Sequence, residues 1–388
     1  VDATGQVLQL NTGAVAQVID ADIKALTNGQ GVLDIDTTGG VTINGDIGGA
    51  TAGTDDLASV LLADGATVSS NGHIFATAIT LGSANTTGAT LTLTGTGKTV
   101  GGTINSDGGN DNGILNVNGT YTFTGAIGGT HELDSIVIGT AGSANFQANV
   151  DIEGTGADSL TLSGASSLVS LGKADAGGNS TVAFEGNILG KGIVTLVGDD
   201  TDNVGHTITG NVGTNTQSIA TLNVGNDNEN AATGSDVHTL TGDLYASTVA
   251  FTATDDAGGT TVGGTLLFTG AAANSTVSIG TVTTGVAGDG NITIDPAGAN
   301  SIAVTVTGDV GTSTAGLNTI LVGEETHTGD FSIDFDGNVY ATQITVDEDS
   351  TGTDGIVSFT GGTQTVTADI DGEEAGEGDV NVGNGTST

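Results

Sequence analysis

Gly45-Asp46-Ile47-Gly48 and, about nine residues on, Leu57-Ala58-Ser59-Val60-Leu61-Leu62-Ala63 form the first of four copies of one pattern. The others run from Gly125-Ala126-Ile127-Gly128 to Leu133-Asp134-Ser135-Ile136-Val137-Ile138-Gly139, from Gly210-Asn211-Val212-Gly213 to Ile219-Ala220-Thr221-Leu222-Asn223-Val224-Gly225, and from Gly308-Asp309-Val310-Gly311 to Leu317-Asn318-Thr319-Ile320-Leu321-Val322-Gly323. The spacing of the leading glycines, Gly45, Gly125, Gly210 and Gly308, is long and uneven. Self-similarity at long spacing marks a solenoid or an array of modules rather than one globular catalytic domain. A related turn at Gly186 is followed by Ile188 but has Leu189 where glycine is expected.

A second motif lies inside the modules. It reads GHIFATAITL from Gly72, GDLYASTVAF from Gly242 and GNVYATQITV from Gly337, and it follows the turns at Gly45, Gly210 and Gly308 at nearly constant spacing. In the second module only Phe146 and Val150 stand as remnants of it. A third match joins the chain's two ends: Ala21-Asp22-Ile23 with Gly31-Val32-Leu33-Asp34-Ile35 resembles Ala368-Asp369-Ile370 with Gly378-Asp379-Val380-Asn381-Val382. Such spacings match one coil of a β-solenoid, with three or four coils of roughly 20 to 30 residues in each module.

Strand signals dominate between the turns. Runs such as Ala89-Thr90-Leu91-Thr92-Leu93-Thr94 and Ser301-Ile302-Ala303-Val304-Thr305-Val306-Thr307 alternate apolar residues with threonine or serine, so one face is apolar and the other hydroxyl-rich. Helical periodicity is weak, and its best stretch, Val15 to Leu26, holds β-branched pairs and no cap. The expectation is an all-β chain with almost no helix, folded as a parallel β-helix. Gly, Asn and Asp would turn the corners because they tolerate positive φ. Aromatics at 3% suit a narrow aliphatic interior, with Phe75, Phe123, Phe184, Phe251, Phe268 and Phe359 at motif positions. With about 22 residues and about 4.8 Å per coil, such a rod would be on the order of 80 Å long. The alternative is a string of antiparallel β-sandwich modules; the single proline, Pro296, and the lack of linkers count against it. The expected divisions are N-terminal coils over 1–44 and modules over 45–124, 125–209, 210–307 and 308–388. The last module ends without an evident cap, and an uncapped terminal coil is an edge that recruits another strand.

Charge is set by the near-deletion of bases. Four lysines, Lys24, Lys98, Lys173 and Lys191, and no arginine face 45 acids, for a net charge of −41. Nucleic acid is excluded as a partner, because neutralising phosphates takes clustered Lys or Arg. Few bases also mean few trypsin-type cleavage sites, as suits an exposed coat. No run approaches the roughly 18 apolar residues of a membrane helix, so no helix is expected to span a bilayer. There is no cysteine to form a disulfide, and no methionine; the start at Val1 reads as a processed or excised product.

Self-repulsion at this charge favours bound cations, and calcium takes six to eight oxygen ligands from carboxylates and carbonyls. The candidate ligands lie on turns: Asp107 and Asp111; Asp199, Asp200 and Asp202; Asp227 and Glu229; Asp347, Asp349 and Asp354; Asp371 and Glu373. None of these matches an EF-hand loop, and Gly288-Asp289-Gly290-Asn291 with Asp295 is an isolated approach to a calcium β-roll repeat. No two of the five histidines have a metal-ligand spacing, and they are expected on solvent-facing turns. Catalysis is not expected. A lyase needs a basic residue beside its acidic sugar, and a sugar-hydrolase groove needs aromatic platforms, for which only Tyr121, Tyr245 and Tyr340 are present. No nucleophile elbow, P-loop or dinucleotide fingerprint appears in the right context.

The turn-plus-strand signature, as in Phe123-Thr124-Gly125-Ala126-Ile127-Gly128 followed by Leu133 to Gly139, resembles the repeats of large bacterial surface proteins. It is most similar to the passenger regions of rickettsial outer-membrane-protein-B-type autotransporters, with Gly/Thr/Asn-rich S-layer and adhesin proteins close behind. The resemblance implies secretion to the bacterial cell surface, a solenoid fold and a coat or adhesive role. The sequence departs from the autotransporter pattern in showing no C-terminal membrane barrel, as expected of a cleaved passenger, a fragment, or a subunit exported another way. Two roles follow as expectations: self-assembly into a layer or filament through the terminal coils, with divalent cations, or adhesion to a cell-surface glycan or host ligand through loops.

Overall fold

Alternation of apolar and hydroxyl residues produces strands throughout, and the named strands pair parallel to their neighbours in a computed structural model of the chain. The structure describes residues 6–11, 13–82, 88–107, 112–152, 159–173, 181–198, 205–226, 236–253, 264–270, 274–296, 298–323, 329–347, 355–372 and 378–383. No helix occurs among them. Parallel pairing rules out the antiparallel sandwich and leaves the β-solenoid. The chain divides into two compact units, Val1–Ser170 with Val182–Ile188, and Leu171–Thr181 with Leu189–Thr388.

In the first unit each coil contributes to three rows of inward side chains. One row is Val41, Val68, Leu91, Leu115, Ile136 and Leu160, each the register partner of the next, so the step from one to the next is the length of a coil. The next is Ile23, Ile47, Ile74, Val100, Phe123 and Phe146. The last is Leu33, Val60, Ile79, Ile104, Ile127, Val150 and Phe184. Nearly all of these side chains are fully buried. Residues between them on each strand are outward and half-exposed, as in Thr90–Leu93 and Ile114–Val117.

The second unit is built the same way. Ile208, Leu240, Phe268, Ile294, Val322 and Val346 form one row, whose uneven steps reflect loops of different length between the same three sides. Leu222, Val249, Val282, Val310, Val339 and Val366 form a second, and Val212, Leu244, Val277, Val304, Ile333, Val357 and Val380 a third. Phenylalanines stack along the rows, Phe123 on Phe146 at 5.0 Å and Phe335 on Phe359 at 5.6 Å.

The repeated turn now has a geometric meaning. Its third residue makes a single parallel bridge to the coils on either side: Ile47 to Ile23 and Ile74, Ile127 to Ile104 and Val150, Val310 to Val282 and Val339. Its last glycine has positive φ, +83° at Gly48 and +64° at Gly311, where a side chain would be strained. Its first glycine is stacked under the first glycine of the second motif, one coil on: a Cβ on Gly72 or Gly242 would collide with the carbonyl oxygen of Gly45 or Gly210. The two motifs are therefore the two sides of one glycine contact. Val150 bridges Ile127 as Ile74 bridges Ile47, so it is a true remnant of the second motif, whereas Phe146 belongs to the row of Phe123.

The long repeat is three coils plus one side. From Ile47 the row passes through Ile74 and Val100 to Phe123, and the next turn, at Ile127, falls on the following row. From Val212 it passes through Leu244 and Val277 to Val304, and Val310 again falls one row on. In each unit the turn thus moves to a different side of the coil.

Candidate functional site

Three features of the described residues bear on function: the acidic positions, a set of polar stacks along the coil corners, and the outermost strands.

Of the calcium candidates, Asp107, Asp347 and Asp371 are described. Asp111, Asp199, Asp200, Asp202, Asp227, Glu229, Asp349, Asp354 and Glu373 lie outside the described residues. Asp107 borders a cleft of about 430 Å³ together with Asp34 and Asp36. Asp347 is buried, its N–H donating to Val322 O at 2.9 Å and its carbonyl accepting from Gly355 N at 2.9 Å. Asp371 is exposed on Val366–Gly372 and pairs with Thr345. No group of three or more carboxylate or histidine side chains able to hold a metal occurs among the described residues. Asp289 of the isolated roll-like stretch is buried.

At the coil corners the side chain of one coil accepts from the main chain of the next. Asp22 accepts from Asp46 N at 3.0 Å, Asp46 from His73 N at 2.8 Å, and His73 Nδ1 from Thr99 N at 3.0 Å. The same stack recurs as Asn211 from Asp243 N and Asp243 from Thr276 N, both at 2.8 Å, and as Asp309 from Asn338 N at 2.7 Å and Asn338 from Thr365 N at 2.8 Å. The residue after the leading glycine of both motifs therefore closes main-chain N–H groups that a corner would otherwise leave open. The donation from Asp46 N, helped by Lys24 at 3.2 Å, holds the Asp22 carboxyl below the ordinary range. These acids have structural partners.

Two histidines depart from the expected solvent-facing turns. His206 and His238 are fully buried and stacked at 5.2 Å. His238 Nδ1 accepts from His206 N at 3.3 Å and its Nε2 donates to Gly225 O at 3.0 Å, while His206 Nε2 donates to Val197 O at 2.7 Å. Burial, and then the neighbouring His206, push His238 down to about 4; burial lowers His206 in the same direction. Both rings are thus neutral hydrogen-bonding core residues near pH 7. The signal was present as one context repeated a coil apart, His206-Thr207-Ile208-Thr209-Gly210 and His238-Thr239-Leu240-Thr241-Gly242.

The outermost strands are unlike the interior. In the first unit Val7–Leu10 pairs, among the described residues, only with Val32–Ile35, and Leu8, the register partner of the fully buried Leu33, is 39% exposed. In the second, Asp379–Val382 likewise pairs only with Ile356–Phe359 among the described residues, and Val382 is 82% exposed. Beside it a cleft of about 430 Å³ is lined by Phe359, Gln364, Val366, Ile370, Val380 and Val382. Apolar rows that are covered along the inner coils are open there.

The chain is similar to a bacterial outer-membrane protein. It is 32% identical over 220 residues to outer membrane protein A of Rickettsia rickettsii. That stretch is 55% of this chain and 8% of the relative, so the chain spans a small part of the protein it matches. The similarity agrees with the resemblance to rickettsial surface proteins read from the repeats. No family model and no solved structure matches the chain. Among the described residues no helix is long and apolar enough to cross a membrane.

Proposed function

We propose that this chain is a non-enzymatic structural protein of the bacterial cell surface that associates end to end into a layer or filament. The observation that carries the reading is the pair of exposed apolar strands that lie outermost among the described residues of each unit. Val7–Leu10 and Asp379–Val382 each offer an edge to strand addition, and Leu8 in the one and Val380 and Val382 in the other stand at inward positions that a further coil would bury. A contact between one end and the unlike end of another copy is heterologous, and such contacts propagate into open assemblies. The similarity to a rickettsial outer-membrane protein supports the surface location. Divalent cations bridging acidic loops would offset the repulsion between copies that each carry −41.

Light scattering and electron microscopy of the purified chain, with calcium or with a chelator, test this. Growth with concentration is expected in calcium, with shorter assemblies under chelation and none for Val380→Lys with Val382→Lys. Monomers at every concentration in both conditions would overturn the assembly reading. A second reading, an adhesin that holds a host or neighbouring-cell ligand through its loops, is favoured by one feature of the second unit, a hydroxyl-lined cleft beside Gly311.

A further inference from the structure

The loop after the fourth turn is closed on itself. Thr312 N donates to Ala315 O at 2.8 Å and Ala315 N donates back to Thr312 O at 3.1 Å, a small antiparallel bridge. Thr312 Oγ1 also accepts from Ala315 N at 3.1 Å and lies 3.4 Å from Thr314 Oγ1. The preceding coil ties the loop down: Thr284 Oγ1 donates to Ala315 O at 2.8 Å and Gly288 N to Gly316 O at 2.9 Å. The next coil places Tyr340 beneath it, its N–H donating to Val310 O at 2.9 Å. Between them is a cleft of about 180 Å³ bordered by Thr312, Ser313, Thr314, Tyr340, Thr342 and Thr367.

The same construction occurs once more among the described residues of this unit. Thr214 N donates to Gln217 O at 2.9 Å and Gln217 N to Thr214 O at 3.0 Å, with Thr214 Oγ1 3.3 Å from Thr216 Oγ1. Tyr245 stands where Tyr340 stands, its N–H donating to Val212 O at 2.8 Å. The remaining tyrosine, Tyr121, is buried and donates to Ser70 O. The turns of the first unit are built differently: the residue corresponding to Tyr340 is Phe75, 5% exposed, beside Ile74, and Asp151 beside Val150.

The chemistry of the cleft selects its ligand. Hydroxyl groups both donate and accept, and a tyrosine adds an apolar ring with a polar tip. Among the described residues no charged side chain borders the cleft, in a chain with 45 acids. An anion would find no cation there and a metal no carboxylate. A ligand with many hydroxyls, an apolar ring face and no charge fits. At about 180 Å³ the cleft is smaller than the roughly 300 Å³ of pockets that enclose a whole small molecule, so it would hold one ring of a longer chain. We propose that this cleft binds one residue of a neutral saccharide, and that Gly213–Gln217 with Tyr245 is a second site of the same kind on another side of the coil. The proposal rests on the adhesin reading and is independent of end-to-end assembly.

The test is saturation-transfer NMR on the purified chain with chitotriose, maltotriose and lactose at millimolar concentration, with sialyllactose as the anionic probe, alongside binding of the chain to whole cells. At least one neutral saccharide should bind. Tyr340→Ala should weaken it about tenfold, the difference made by one good contact. Thr314→Val with Thr342→Val, both at exposed positions, should weaken it similarly while leaving circular dichroism unchanged. Tyr245→Ala with Tyr340→Ala should abolish binding, and Thr51→Ala in the first unit should not alter it. No binding of any neutral probe, equal binding of sialyllactose, or indifference to the tyrosine and threonine substitutions would overturn the site. If cells are bound undiminished by the double tyrosine variant, the adhesin reading survives and the site falls; if neither cells nor saccharides are bound, both fall.

Discussion

Replacing His238 by phenylalanine should remove most of a pH dependence that is local to one part of the second unit. The ring is fully buried against His206 and its pKa is pushed down to about 4, while in an unfolded chain it is about 6.5. Between those values the open state binds a proton that the closed state refuses, so closure is favoured above pH 6.5 and loses stability as pH falls toward 4. A gap of about 2.5 pH units at about 1.4 kcal/mol each corresponds to roughly 3 kcal/mol lost by pH 4. His206 adds to the loss in the same direction, and the buried Asp236 is the other described titratable group close in sequence to His238. Protonation of the many surface carboxylates acts oppositely by relieving repulsion, so the informative quantity is the difference between wild type and variant. Solenoids open locally, which makes native-state hydrogen exchange the suitable assay. The amides of Thr239 and Thr241, which donate to His206 O at 2.8 Å and Ile208 O at 3.1 Å, report on the site. Their opening free energy, corrected for intrinsic exchange, should drop by about 3 kcal/mol between pH 7 and pH 4 relative to His238→Phe. An equal pH dependence in both proteins would refute the reasoning.

Two further substitutions test the packing. Gly48→Ala places a Cβ at φ +83° and against Phe75 O. It should cost at least the ~1–2 kcal/mol of a left-handed residue, seen as a lower urea midpoint. Phe335→Ala removes a fully buried ring stacked on Phe359 at 5.6 Å. It should cost about 3–5 kcal/mol and raise exchange in the strands on either side, Ser301–Val306 and Ile356–Phe359, before that of distant coils.

Much of this architecture was legible because solenoid physics is written locally. Alternation in Thr90-Leu91-Thr92-Leu93 names the inward side chains, and the step from Gly45 to Gly72 is one coil because those two glycines touch. The side on which each turn falls was not legible. Spacing in sequence counts positions along the chain, and loops of varied length separate a coil's three sides. The unequal steps from Gly45 to Gly125 and from Gly210 to Gly308 therefore conceal the same advance of three coils and one side. His206 and His238 escape a reading by spacing for a related reason: metal-ligand spacings along a helix or loop do not anticipate partners distant in sequence that a parallel coil stacks directly. Acidic positions were easy to find and hard to interpret. Asp46, Asp243 and Asp309 spend an oxygen on the next coil's main chain, which composition alone does not distinguish from a solvated carboxylate.

The coil register itself can be read chemically, because the chain has no cysteine of its own. Ser69, Thr92 and Asn116 face outward at one register position of three successive coils, with Asn116 Nδ2 3.5 Å from Thr92 Oγ1. Parallel neighbours about 4.8 Å apart lie within disulfide range, and positions two coils apart do not. Under mild oxidation, Ser69→Cys with Thr92→Cys and Thr92→Cys with Asn116→Cys should each form an intramolecular disulfide in high yield. Ser69→Cys with Asn116→Cys should form none. A disulfide in the skipped pair, or none in the adjacent pairs, would contradict the parallel three-sided coil on which the whole account depends.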